Sequence, residues 1–422
     1  MEKDFFKVKD LETVLTLIEA FPVVETQIQP LDDCLGRILA QDVVSEINLP
    51  EFSRATMDGY AVQAASTFGA SEGMPALLDV VGCVEMGQVA AGEVTPGQAV
   101  EITTGGMLPE GADAVVMIEH TQRLDDRTLE VFKSVAPLQH VMEIGEDLAQ
   151  GETVLPKGTR IRPQEIGVLA ALGKDKVPVY RRPVVAVISS GDEIVPVDQT
   201  PALSQLRDVN SHTLSALIGS AGGVPVRLGI AGDDLGALDR LCRQGLADAD
   251  MVLISGGSSV GSRDYTVTVF EGLPDSKILV QGVSVSPGKP TILAKSRGRI
   301  LWGLPGQVTS AMVVFQTMIR HCINHIGGLG WREKDIEVPA EVTRNVASVP
   351  GRTDFVRVRL RSQDDRLFAD PQLGKSGLIH PMVKADGLVR VHKDSEGIDK
   401  GQVVNVIPFA SSPILSDRTL DT

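Results

Sequence analysis

This chain is poor in cysteine, in aromatic side chains and in positive charge, and it has no long apolar run. Its four cysteines, Cys34, Cys83, Cys242 and Cys322, are scattered over 422 residues and form no CxxC pair. That spacing excludes a disulfide framework and suits reduced thiols in a cytoplasm. Aromatics make up 4% of the chain, too few for base-stacking platforms, and the net charge of −15 argues against nucleic-acid binding. An anionic ligand therefore needs local help from backbone dipoles, lysines or a metal. No apolar stretch reaches the length of a membrane span, so no membrane partner is expected. The first residues, MEKDFFKVKD, lack the basic–apolar–small pattern of a signal peptide. There is no Walker A loop, GxGxxG fingerprint, nucleophile elbow or HExxH, and no short-period repeat or low-complexity segment.

What is present is a change of rhythm along the chain. Its length suits about three domains. Leu11, Val14, Leu15 and Ile18 follow helical spacing, with Asp10 placed to cap them. Residues 31–46 read as a short helix leading to a strand. From Leu49 to about Asp147, alternating runs such as PALLDVVGCV, QAVEITTG, DAVVMIEH and TLEVFKSV are separated by Gly, Pro and Asp, which predicts a β-rich domain. GETVLPKGTRIRPQEIGVLAALG then reads as a strand, a turn and an apolar helix. After Arg181 the strands PVVAVISSG, VPVRLGI, MVLISGG, KILVQGVSV, TILAK and GRILWG alternate with helical segments, one of them capped by Asn210 or Ser211. The pattern predicts a doubly wound α/β sheet. QVTSAMVVFQTMIRHCINHIGG closes that region as a long helix. Past Gly330 the chain is β-rich again, as a small barrel or sandwich, and the residues after Phe409 read as frayed.

In a parallel sheet, ligands bind outside the carboxyl ends of the strands. Here those ends deliver Ser189-Ser190-Gly191-Asp192-Glu193, then Asp233-Asp234, then Gly256-Gly257-Ser258-Ser259-Val260-Gly261 with Asp264 beyond it, then Ser286-Pro287-Gly288-Lys289-Pro290, then Leu304-Pro305-Gly306. Small residues let bare N–H groups approach a phosphate. Carboxylates gathered beside such a pocket repel the ligand unless a cation intervenes, so Glu193, Asp233 and Asp264 are candidate ligands, and an all-oxygen set favours Mg²⁺. The competing reading of each acid is helix capping. Three further pieces stand apart: Thr56-Met57-Asp58-Gly59-Tyr60, Thr103-Thr104-Gly105-Gly106 and Gly145-Glu146-Asp147, each readable as a turn or linker. His321 and His325 share a helix face, but without further ligands they read as helix C-terminal residues.

TMDGYAV, ITTGGMLPEGADAVVM, GEDL, ISSGDEIV, DVNS, LISGGSSVGSRDYT, SPGKP and GLPG, in that order, resemble the molybdopterin molybdenumtransferases, the MoeA proteins related to the gephyrin E domain. The resemblance implies a multidomain α/β protomer. Residues 1–46 and 148–180 would form an elongated domain, 47–147 an inserted β-domain, 181–329 a three-layer molybdopterin-binding domain like MoaB and Mog, and 330–422 a C-terminal β-barrel. It implies a homodimer whose clefts combine the α/β domain of one chain with the β-domain of the other. It also implies Mg²⁺-assisted insertion of molybdate or tungstate into adenylylated molybdopterin, with release of AMP. The adenylylate would be handed over by an adenylyltransferase.

Carried over by position, Asp58, Thr104 and Asp147 stand on the β-domain side, and Glu193, Asp233 and Asp264 on the α/β side, with Glu193 and Asp264 as the metal ligands. Ser190, Gly191, Gly256, Gly257, Ser258, Asp208 and Asn210 line the pterin nucleotide. Pro305, Gly306 and Ser310 are further cofactor-binding positions, and Lys289 with Pro290 matches the oxyanion site. The chain departs from the family at Ser286, where a lysine is usual, and at Gln307-Val308, where Asn-Pro is usual. Met142 and Ser211 also replace basic residues common there. Each missing charge-assisted contact is worth about 1.5–3 kcal/mol, so the anion site is expected to be weaker or compensated by Arg352, Arg357, Lys375 or Lys384. A pterin-nucleotide binder or scaffold without turnover, and a molybdopterin adenylyltransferase, are the alternative functions.

Overall fold

A computed structural model describes residues 8–256, 262–329, 335–364 and 366–409, with the backbone alone at 262–264. The chain divides into two compact units, Met1–Ala40 with Gly158–Ile166 and Lys176–Thr422, and Gln41–Lys157 with Gly167–Asp175.

The second unit is built on a six-stranded sheet. In spatial order its strands are Ala114–Met117, Gly59–Val62, Gln98–Ile102, Ala76–Val84, Thr128–Val131 and Thr121–Arg123. Tyr60, Val62, Ala99, Ala114 and Val116 face one apolar cluster, and Ala61, Val100, Ile102 and Val115 the other. The period-two alternation of these short runs is thus buried on both faces. Gly59 stands where a Cβ would meet the Val116 carbonyl oxygen at 1.9 Å, so only glycine lets the two strands close at that point.

The first unit opens with the helix Leu11–Ile18, whose first turn is capped by Asp10 accepting the Thr13 N–H at 2.9 Å. Leu11, Val14 and Ile18 are buried against the α/β core. That core is a six-stranded sheet in the order Val224–Ala231, Val184–Ser190, Met251–Gly256, Arg299–Leu304, Ile292–Ser296, Lys277–Gln281. Val185, Val187, Met251 and Leu253 face one apolar cluster, while Ala186, Ile188, Val252 and Ile254 face the other. Helices Asn210–Ser220 and Val308–Val314 serve the first face, Leu235–Asp248 and Ser262–Glu271 the second. A sheet covered on both sides explains why these strands read as unbroken apolar runs.

At the amino-terminal edge of this sheet Asp250, 7% exposed, accepts two Arg181 N–H groups at 2.6 and 2.7 Å, the Val184 N–H at 2.9 Å, and Arg299. Burial alone would raise its pKa, but these donors hold the carboxyl below its ordinary value.

Three expectations need correction. The sheet is mixed, since Ile292–Ser296 runs antiparallel to both of its neighbours. KILVQGVSV is not one strand: it breaks at Gln281, and Val285–Ser286 pairs instead with Thr353 and Asp354 in the barrel sheet. The SPGKP segment therefore leaves the barrel sheet, not the central one. The long helix is interrupted by a π turn at Phe315–Ile319 between Val308–Val314 and Arg320–Ile326. The C-terminal β region is a closed five-stranded barrel, Thr353–Gln363, Arg366–Pro371, Val338–Val342, Val403–Pro408 and Gly387–Val391, with the last strand pairing back to the first. Among the described residues, no helix is long and apolar enough to cross a membrane.

Candidate functional site

A cavity of about 450 Å³ opens at the carboxyl edge of the central sheet. It is lined by Ser190, Gly191, Glu193, Asp208, Asn210, Asp233, Gly256 and Gly306 among the residues singled out from the sequence, and by Ser189, Arg207, Ser255, Gln307 and Gly377 besides. The volume suits a small organic ligand.

Two glycines shape its floor. Gly256 has φ +129°, and a Cβ there would lie 2.0 Å from the Ser190 carbonyl oxygen. Gly191 has φ +144°, and a Cβ would meet the Glu193 carboxylate at 2.6 Å. Both positions favour glycine for conformation, and Gly256 for space as well, since it meets backbone where Gly191 meets only the movable end of the Glu193 side chain.

The acids divide their work. Asp234 caps the helix Leu235–Asp248, accepting the Gly236 and Ala237 N–H groups at 2.7 and 3.2 Å. Its neighbour Asp233 is left at the cavity. Burial, with Asp192 and Glu193 nearby, raises the Asp233 pKa. Asp192 in turn accepts the Asp233 N–H at 2.8 Å, a residue the sequence reading did not single out. Asp208, 6% exposed, accepts the Ser189 hydroxyl at 2.8 Å and the Ser211 N–H at 3.0 Å. It, not Asn210 or Ser211, supplies the side-chain acceptor at the start of Asn210–Ser220, so part of its expected ligand role is spent on holding strand to helix. Asn210 donates its amide Nδ2–H to the Gly306 carbonyl at 2.8 Å, which joins the start of Asn210–Ser220 to the loop after Leu304 at the cavity.

Gly257 and Ser258 lie outside the described residues. Asp264 falls in the first turn of Ser262–Glu271, but its side chain also lies outside them. Lys289 is exposed, and neither it nor Pro290, Pro305 or Ser310 lines this cavity. Lys289 stands three residues before Ile292, which pairs with Gly303 at the carboxyl end of Arg299–Leu304, so its loop stays at that edge of the sheet without lining the cavity. The Lys289 carbonyl accepts the Val283 N–H at 2.9 Å, closing the loop on itself. Among the described residues, no three of His, Cys, Asp and Glu are gathered closely enough to hold a metal. The histidine pair has other tasks, as His325 Nε2 meets the Phe21 carbonyl at 2.9 Å and His321 faces Asp335.

Of the four compensating cations, Arg352 is paired with Asp354 at 2.8 Å. Arg357 is 9% exposed and donates to the Gly374 carbonyl at 2.9 Å, while its Nη1 has no partner among the described residues.

In the other unit, Asp58 and Thr104 come together. The Asp58 carboxylate accepts the Thr104 N–H at 2.6 Å and its hydroxyl at 2.8 Å, and those two bonds lower the Asp58 pKa. Asp147 is exposed, with its N–H on the Leu49 carbonyl.

The comparisons with known proteins cover nearly the whole chain. Residues 9–173 match the family described as MoeA N-terminal region (domain I and II), 186–325 match the Probable molybdopterin binding domain, and 339–409 match the MoeA C-terminal region (domain IV). The chain is 32% identical to the molybdopterin molybdenumtransferase of Bacillus subtilis over 91% of its own length and 90% of that protein. Two crystal structures of the molybdopterin biosynthesis MoeA protein of Pyrococcus horikoshii match at 35% and 29% identity. Each match covers 96% of this chain and 100% of the other, with TM-scores of 0.81 and 0.82. By these matches the chain belongs to the MoeA family of molybdopterin molybdenumtransferases.

Proposed function

We propose that this protein inserts molybdate or tungstate into adenylylated molybdopterin and releases AMP. The observation that carries this reading is the cavity lined by Glu193 and Asp233 whose backbone at Gly191 and Gly256 takes the positive φ that favours glycine. Bare backbone suits a pyrophosphate, and the rim between Asn210 and Gly306 gives the pterin nucleotide a polar edge.

Burial first, and then the nearby Asp192 and Glu193, raise the Asp233 pKa, and a hard cation at the cavity would relieve that crowding. Glu193 with Asp264 would hold Mg²⁺, which when bound would spread the charge of the cleaved phosphoanhydride. The chain's own residues do the rest. The strand-end backbone would meet the phosphates, and Asp208 holds Ser189 and the helix start in register.

For the oxyanion, Lys289 and the buried Arg357 supply the positive charge that Ser286 does not. Arg357 lies three residues beyond Asp354, the residue paired with Ser286, and it retains an unused N–H donor. In this reading the protein is a homodimer in which the Asp58–Thr104 pair of one chain completes the cleft of its partner, and an adenylyltransferase delivers the adenylylate.

The test is direct. Purified protein, Mg²⁺, adenylylated molybdopterin and molybdate or tungstate should yield AMP, and Glu193→Gln or Asp264→Asn should abolish it with the fold intact. No AMP with either anion sinks the proposal. Ser286 favours a second reading, a binder without turnover. Tight pterin-nucleotide binding with no AMP in any condition would establish that reading, whereas ATP consumption dependent on free molybdopterin would identify an adenylyltransferase.

A further inference from the structure

One residue at the cavity does not come from the α/β domain. Gly377 belongs to the segment between the barrel strand Arg366–Pro371 and the short helix His380–Lys384, yet it lines the cavity beside Gly306, Gln307 and Val308. What holds it there is Thr309. Its N–H is donated to the Ser376 carbonyl at 3.1 Å, and its hydroxyl to the Leu378 carbonyl at 2.8 Å. Those two carbonyls flank Gly377, so a single residue grips the backbone on both sides of it. Thr309 is fully buried, and its two donors have no water to turn to instead.

The grip also answers a need of the helix Val308–Val314. Its N-cap residue, Gln307, makes no side-chain capping bond, so the first turn lacks an acceptor of its own. The Ser376 carbonyl supplies one from the barrel side. The start of the same segment is tied to a barrel strand, where the Gln372 N–H meets the Arg357 carbonyl at 2.7 Å and Arg357 donates to the Gly374 carbonyl at 2.9 Å. The segment is thus fixed at its start by the barrel and at its finish by Thr309.

We propose that Thr309 is a positioning residue, which holds Ser376–Leu378 in place as a wall against which the pterin nucleotide binds. The proposal rests on the reading of the cavity as the site of adenylylated molybdopterin. Without the hydroxyl the Leu378 carbonyl, on an exposed residue, turns to water, and the wall leaves the ligand while the fold stays intact.

The experiment compares the full-length protein with Thr309→Val, which keeps the shape and loses the hydroxyl, and with Thr309→Ser, which keeps the hydroxyl. In Thr309→Val the KM for adenylylated molybdopterin should rise about fivefold, the worth of one net hydrogen bond, with little change in kcat. Thr309→Ser should restore it. A merely structural role would instead lower the amount of active protein, and so kcat, with KM unchanged. Hydrogen exchange of the ligand-free protein gives a second readout. A peptide spanning residues 375–379 should exchange faster in Thr309→Val by about threefold or more, and one within Thr353–Gln363 should not. Gly377 has no positive φ, and a Cβ there meets nothing within 4 Å, so Gly377→Leu should fold and raise the same KM by crowding the ligand. Unchanged exchange in Thr309→Val overturns the grip. Faster exchange with KM unchanged in both Thr309→Val and Gly377→Leu overturns the wall. If the wild-type protein releases no AMP, the reaction proposed above fails, and the exchange result decides the grip by itself.

Discussion

Asp233 and Asp234 are adjacent, chemically identical, and placed in opposite circumstances. Asp234 accepts two N–H groups at a helix start, and Asp233 faces other carboxylates across a cavity. The sign of the pKa shift follows from that difference. A carboxyl whose folded-state pKa is raised contributes stability that is full below its unfolded pKa and is lost as pH rises through the folded value. At neutral pH the ionised Asp233 therefore works against the fold. Asp233→Asn should abolish AMP release, a fall of about 10²-fold or more, and should also leave the protein slightly more stable, by under about 1 kcal/mol because the group is largely exposed. Thermal unfolding of both proteins should show that gain at pH 7 and show the two curves converging near pH 3. A loss of stability at pH 7 would contradict the crowding argument.

Arg357 yields a second prediction at this scale. If it replaces the lysine that Ser286 lacks, Arg357→Lys should retain most activity. Arg357→Met, which fills similar space without charge, should raise the KM for the oxyanion about tenfold or more, at 1.5–3 kcal/mol per charged contact, and leave nucleotide binding unchanged. Equal losses in oxyanion and nucleotide affinity would assign it to barrel packing instead.

At the level of elements, Asp208 ties the strand Val184–Ser190 to the helix Asn210–Ser220 through Ser189 and Ser211. Asp208→Ala removes a helix cap and leaves a buried hydroxyl unpaired, at a cost of about 1–3 kcal/mol in each respect. Chemical denaturation should show a lower midpoint with an unchanged slope, since the loss is local. Asp208→Asn keeps an acceptor and should recover most of it.

Elements also mark how far the sequence could be read. The runs VVAVI and MVLI are apolar throughout, and a doubly covered sheet is the arrangement that gives both faces of such a run an apolar cluster. The residues after each strand end were legible for the same reason, and Glu193, Asp233 and Gly256 do share one cavity. What was not legible depends on contacts between distant segments. Nothing local in KILVQGVSV distinguishes a nine-residue strand from a break at Gln281. The partner that draws Val285–Ser286 away is Thr353–Asp354, some seventy residues on. The π turn at Phe315–Ile319 likewise leaves the 3.6-residue periodicity unbroken over so short a span. Asp58 and Thr104 each looked like a turn residue, and only their mutual bonds, across 46 positions, raise them above that.

For the whole molecule, the question is how the two units cooperate. The acidic cavity lies wholly within the unit that holds the central sheet, and the exposed Asp58–Thr104 pair within the other. If both serve one reaction, the second must meet the first either within a chain or across a two-fold axis. In a symmetric dimer with shared clefts, each chain gives its sheet to one cleft and its Asp58 to the other. Asp58→Ala and Asp233→Asn should each be inactive as pure proteins. Unfolded together and refolded, half the dimers should be mixed, and each mixed dimer should carry one cleft with both changes and one with neither. AMP release should then return to about one quarter of the wild-type rate. Clefts completed within a single chain predict no recovery at all, because every cleft would carry one change. Mixing without refolding should recover activity only as fast as subunits exchange, which separates a shared cleft from trace wild-type contamination.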